Sequence, residues 1–165
     1  MKIVCLESPF KPSAEDVVRY VGRYTEADLL RQNIIYARMA LLSCLLRGEA
    51  PLASHLLYTQ VWSERADLRD AGIKAGIEMH HRCDLVALFR DLGVSKGMQL
   101  ASDNAKLLGV DQVSRSCLDC IDVDDARAQL AERQLDSFPF LEQLMASEQA
   151  QIVQLRKETR PGRGR

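Results

Sequence analysis

The chain has 165 residues, 47% of them hydrophobic and 27% charged, with a formal net charge of −1. That makeup fits a globular domain with a sizeable core, and the near-neutral total argues against general nucleic-acid binding by the whole domain. No run of about 18 uninterrupted apolar residues occurs, and Met1 to Leu6 meets Glu7 too soon for a signal-peptide core, so the expected location is the cytoplasm, without a membrane span.

Lys2 to Leu6 is a short apolar run with β-branched residues, closed by Glu7, Ser8 and Pro9, which predicts a buried first strand ending in a loop. Pro9 and Pro12 keep that loop out of helix. From Glu26 to Arg47, Leu29, Leu30, Ile34, Ala37, Leu41, Leu42 and Leu45 recur at helical intervals, and Gly48 suits the position just past the helix end. Ala50 to Ala53 reads as a second short strand running into a polar loop from Ser54 to Tyr58. Ser63 suits the cap of a helix that runs to Arg82 through Leu68, Ala71, Ala75 and Met79.

Cys83 to Phe89 is the clearest strand, apolar on both faces after Asp84, as expected of a central parallel strand covered by helices. Ser95 to Leu108 follows as a helix closed by Gly109, and Val110 to Ser114 as a fourth strand. The alternation predicts an α/β fold, a doubly wound parallel sheet over residues 1–114. Asp122 to Leu135 and Phe138 to Leu155 then predict a C-terminal helical extension spanning 115–155, and the segment 156–165 a disordered basic tail. The apolar residues of the last helix, Phe138, Phe140, Leu141, Leu144 and Ile152 among them, point to a homo-oligomer or to packing across the crevice. The tail is the one place where weak nucleic-acid contact is expected, against the plainer reading of a solubilising terminus.

The five cysteines, Cys5, Cys44, Cys83, Cys117 and Cys120, are an odd count without an export signal, which fits reduced thiols. Cys117 and Cys120 form the only close pair; His80, His81 and Cys83 sit on a helix-to-strand junction that is no ligand knuckle, so neither a metal nor a cofactor is expected.

In a doubly wound sheet, ligands bind outside the carboxyl ends of the strands. That rule selects Glu7 to Phe10 after the first strand, Ser54 and His55 after the second, and Asp91 to Gln99 after the third. Ser95, Lys96, Gly97 and Met98 stand where a loop becomes a helix N-terminus, a place suited to phosphate, although a serine cap needs no ligand.

Ser8-Pro9-Phe10, the stretch from Gly48 to Tyr58, Gly76-Ile77-Glu78, Arg82-Cys83-Asp84 and Ser95-Lys96-Gly97-Met98, taken in order, resemble the nucleoside 2-deoxyribosyltransferase-like superfamily. The likeness is greatest to small members found in bacteriophages and bacterial genomes, so a phage-encoded copy would work in the host cytoplasm, and family members assemble as oligomers. The resemblance implies a Rossmann-like fold that binds a nucleoside or nucleotide. It also implies N-glycosidic bond cleavage or transfer through a glutamate nucleophile, an anion being needed where the anomeric carbon becomes cationic. In the family that glutamate follows the Gly-Met pair directly or lies two residues later; here those positions hold Gln99 and Ala101. An amide is a poor nucleophile, and the next acid, Asp103, is about one turn further on.

Catalysis has therefore either moved or gone. Glu7, Glu78 and Asp91 are the carboxylates to which it would move, with Glu78 and Asp91 retained as catalytic candidates. The ligand-binding candidates are Ser8, Pro9, Phe10, His55, Ser95, Gly97, Met98 and Gln99. Against these, Glu78 also suits a helix-surface pair with Lys74 or Arg82, Asp84 a loop cap, and His55 a satisfied structural role. Phe10 and Tyr58 suit base stacking or plain packing, and Trp62 suits the core or an interface. Three readings stand: an N-glycosidase or deoxyribosyltransferase-like enzyme, a non-catalytic binder of a nucleotide-derived ligand, and a protein-interaction module.

Overall fold

The fold is seen in a computed structural model, described here over residues 1–60 and 66–117. The elements run β1 (Ile3–Glu7), α1 (Ala14–Arg19), α2 (Glu26–Leu46), β2 (Ala50–Leu52), α3 (Ser54–Tyr58), α4 (Ala66–Glu78), a 3-10 turn (Met79–Arg82), β3 (Leu85–Phe89), α5 (Lys96–Leu108) and β4 (Asp111–Arg115). The fold is thus α/β, with a four-stranded, all-parallel sheet in the order β2-β1-β3-β4. This order is compatible with a Rossmann-like arrangement, because the chain steps from β1 to β2 in one direction and returns past β1 to lay down β3 and β4 in the other.

Parallel pairing with helices on the sheet buries the central strands on both faces. All five residues of β3 are buried, and so are Val4, Cys5 and Leu6 of β1. Cys5 pairs with Leu52 on one side and Val86 on the other, so the three share one face. There Cys5, Val86 and Leu88 pack with Ala105 of α5, bordered by Met79 and Cys83. α2 packs on β1 and β2, burying Leu29, Ile35, Tyr36, Met39, Ala40 and Cys44. It is the one described helix long and apolar enough to cross a bilayer, and 56% of that apolar window is buried in the fold.

Helix ends follow local chemistry. Thr25 Oγ1 accepts the Asp28 amide hydrogen while Asp28 Oδ2 accepts that of Thr25, a reciprocal cap repeated by Ser13 and Asp16 at α1. α5 begins at Ser95, whose Oγ accepts the Met98 amide hydrogen at 3.2 Å, and ends at Gly109, whose φ of +67° is the left-handed form that favours glycine.

Two expectations change, and one helix is added over 14–19, a segment to which the sequence reading assigns no element. Ser54 to Tyr58 is a short helix where a loop is predicted. The helix predicted to reach Arg82 gives way after Glu78 to a tighter turn. The predictions for Trp62, Ser63, Cys120, the helical extension and the basic tail lie outside the described residues, and β4 itself runs one residue past the predicted domain end, to Arg115.

Candidate functional site

The carboxyl end of β1 lies between β2 and β3 in the sheet, and the segments leaving these strands carry the candidate residues. Ser8 is buried and its Oγ lies 3.0 Å from His55 Nε2 in α3. The Phe10 ring meets the His55 ring edge-on, centroids 6.1 Å apart, and the Phe10 carbonyl is fixed by the Asn33 side-chain amide at 2.9 Å. α3 is seated by close packing on α4: a Cβ at Gly76 would lie 2.6 Å from Ser54 Oγ.

His55 carries one contact too few. Its Nδ1 is sealed from solvent and has no hydrogen-bond partner among the described residues, so within these either tautomer leaves a ring nitrogen unsatisfied. Burial holds its pKa below the ordinary value and the Glu7 carboxylate opposes this as a smaller effect, which keeps the ring neutral near pH 7.

Glu7 closes β1 and belongs to a second set. Its Oε1 lies 3.3 Å from His80 Nε2, in the turn after α4. The Asn104 amide of α5 reaches the other ring nitrogen, Nδ1, at 3.2 Å and the Ile77 carbonyl at 3.5 Å. With Asn104 donating to Nδ1, Nε2 carries the hydrogen that His80 donates to Glu7.

Asp91, after β3, has a structural task. Its Oδ2 accepts from the Tyr36 hydroxyl at 2.7 Å and from the Cys117 amide at 2.8 Å, while its own amide donates to the Tyr36 oxygen at 3.0 Å. The carboxylate thus ties α2, the exit of β3 and the segment after β4 together. Asp84 behaves alike at the other end of β3, where Oδ2 accepts the Ile3 amide hydrogen at 2.8 Å.

α5 separates the two positions at which the resemblance expects a glutamate. Met98, Ala101, Ser102 and Ala105 form its buried face. Gln99 lies on the exposed side, its Nε2 donating to Asp103 Oδ1 at 3.0 Å. Position 101 therefore faces inward and carries only a methyl group.

Ser8, Phe10 and His55 of the predicted set are thus brought into contact, with buried Pro9 between Ser8 and Phe10 in the chain. Ser95 caps α5, Gly97 is exposed in its first turn, Met98 is in the core, and Glu78 is exposed at the end of α4. The Tyr58 hydroxyl lies 3.8 Å from Met79 Sδ. His80 and Asn104, which complete the Glu7 set, carry no signal in sequence because they meet across 73 and 24 residues.

Among the described residues, no group of three or more His, Cys, Asp or Glu side chains is placed to hold a metal ion. Cys5, Cys44 and Cys83 are free thiols. Residues 2–114 match the model of a family described as Domain of unknown function (DUF7768). No curated protein and no solved structure matches the chain.

Proposed function

The chain belongs to the DUF7768 family, and we propose that it binds a nucleoside or nucleotide at the carboxyl ends of β1, β2 and β3, in a Rossmann-like doubly wound fold resembling nucleoside 2-deoxyribosyltransferases. The observation that carries this reading is the Ser8–His55–Phe10 cluster where the chain leaves β1 and β2. A neutral imidazole oriented by a hydroxyl, with an aromatic ring edge-on beside it, suits contact with a base or a sugar hydroxyl. The position accords with ligand binding where an open parallel sheet reverses its strand order. The first amides of α5, at Lys96 and Gly97, lack helical partners and suit a phosphate on the same ligand.

The second reading, a binder without catalysis, is favoured by Ala101: the inward position on α5 offers no carboxylate. A thermal-shift panel of ribo- and deoxyribonucleosides with their 5′-monophosphates tests the binding claim. Saturable stabilisation is expected from part of the panel, approaching 2.7 kcal/mol of added stability at about 100 times Kd, and it is weakened by His55→Ala and Phe10→Ala. No shift with any of the compounds overturns the proposal.

A further inference from the structure

We infer that β4 is a self-complementary edge that pairs antiparallel with β4 of a second copy of this chain, about a twofold axis at Val113, to give one continuous sheet. The pairing is independent of nucleoside binding. The two edges of the sheet differ. At β2, which has three residues, the Ala50 amide donates to the Lys2 carbonyl at 2.8 Å, so alternation turns the next nitrogen, that of Pro51, to the outer edge. It has no hydrogen to offer, which closes that edge to a further strand. β4 has five residues, Asp111-Gln112-Val113-Ser114-Arg115, with no proline and all in register with β3. Doubly wound sheets of the order 2-1-3-4-5 carry a further strand beyond the fourth. Here β4 is the last strand among the described residues, and none of its residues is buried.

Backbone alternation decides which groups of β4 face outward. The Arg115 carbonyl accepts the Arg90 amide hydrogen at 3.2 Å, so Arg115, and with it Val113 and Asp111, turns its backbone groups toward β3. Gln112 and Ser114 turn theirs to the outer edge. An antiparallel copy centred on Val113 sets Gln112 opposite the partner's Ser114 and Ser114 opposite the partner's Gln112. Each of these pairs exchanges both backbone hydrogen bonds, and Val113 meets its own copy at the closer, non-hydrogen-bonded position. The same register sets Asp111 opposite the partner's Arg115. A parallel, in-register copy would instead stack Asp111 on Asp111 and Arg115 on Arg115, and like charges directly opposite destabilise a strand pair. The pattern therefore fits its own copy in one direction, and a twofold contact of this kind closes at two chains.

The side chains of the strand are fixed from both faces. Ser102 Oγ of α5 donates to Gln112 Oε1 at 2.7 Å, and Gln112 Nε2 donates to the Ser102 carbonyl at 2.9 Å. Arg115 is held by Glu49 through Nη1 and Nη2, at 2.6 Å each. With β3 on one side and these bonds above and below, the strand is ordered before it pairs, so association costs little further ordering. The exposed Asp111 carboxylate of the partner joins an Arg–Glu pair that already exists, so it contributes to register and direction more than to strength. Half-buried Val113 brings two β-branched side chains together across the axis.

The test uses the full chain. Sedimentation velocity across the micromolar range, with thiols kept reduced, is expected to show a reversible dimer of twice the 18.5 kDa chain mass. Asp111→Lys, on an exposed side chain, is expected to raise the dimer Kd at least about tenfold, since two like-charge contacts replace two opposite ones. Val113→Cys, oxidised, is expected to form a disulfide between two copies of position 113, because facing Cα atoms at such a position lie about 4.5 Å apart; mass spectrometry of the linked peptide identifies it. Asp111→Cys is expected not to join its own copy, which lies at the far end of the pair. A monomer at every concentration overturns the inference, as does a dimer whose Kd is unchanged in Asp111→Lys. Cross-linking through Asp111→Cys also overturns it, since that is the mark of a parallel pair or of another surface. Should Val113→Cys fail to fold, the Kd of Asp111→Lys decides alone.

Discussion

At the scale of single residues, the fold assigns different tasks to side chains that look alike in sequence. Asp91 follows a strand and Glu7 ends one, yet Asp91 is tied to Tyr36 and Cys117 while Glu7 keeps one oxygen without a hydrogen-bond partner among the described residues. Nothing in the sequence distinguishes them, because Tyr36 meets Asp91 across 55 residues of chain and His80 meets Glu7 across 73. Tyr36→Phe is expected to cost about 1–3 kcal/mol by leaving Asp91 short of a donor and its amide short of an acceptor in a part-buried setting; denaturant unfolding measures it. His55 gives the pH prediction. Burial lowers its pKa from the ordinary 6.5, so below about pH 6.5 the unfolded chain takes up the proton first. Its contribution to stability is full above that pH and falls as pH drops toward the lowered value. Thermal unfolding of His55→Asn across this window is expected to show a flatter acid limb than the parent; an unchanged slope would mean that the ring is not held neutral.

Elements with strong local signals were legible and weakly coded ones were not. β3 reads as five consecutive apolar residues, and α5 carries both its Ser95 cap and its Gly109 stop. α1 is shorter and overshadowed by the prolines before it, although Ser13 and Asp16 already hold the spacing of a reciprocal cap. α3 has five residues and no side-chain cap, so its helical form comes from its seat against α4. That seat depends on Gly76. Replacing Gly76 by Ala would gain about 1 kcal/mol from helix propensity, but the added Cβ meets Ser54 Oγ at 2.6 Å, and overpacking costs about 1–3 kcal/mol. Net destabilisation is expected, and because Ser54 precedes His55, nucleoside affinity should fall with it; calorimetry on the variant tests both.

For the whole molecule, the alternation of strand and helix predicts the parallel sheet, while the order β2-β1-β3-β4, which puts the end of β1 between β2 and β3, comes from the packing of helices on it. One long-range tie joins the two edges. Arg115, the last residue of β4, forks onto Glu49, just before β2, with both bonds at 2.6 Å and the side chains 8% and 12% exposed. The Arg115 guanidinium holds the Glu49 carboxyl below its ordinary pKa, so the pair's contribution is full above the unfolded value and lost as pH falls. Glu49→Gln is expected to lower stability by about 2–3 kcal/mol near pH 7, between exposed and fully buried pairs, with a smaller loss at acid pH. The family match, residues 2–114, covers all of this sheet but its last residue. The central claim is that the crevice takes a nucleoside or nucleotide, and the most direct test is a nuclear magnetic resonance titration of the labelled chain with the compound that stabilises it most. The account predicts saturable shifts centred on Ser8, Phe10 and His55; shifts confined to other parts of the chain, or none at all, would contradict it.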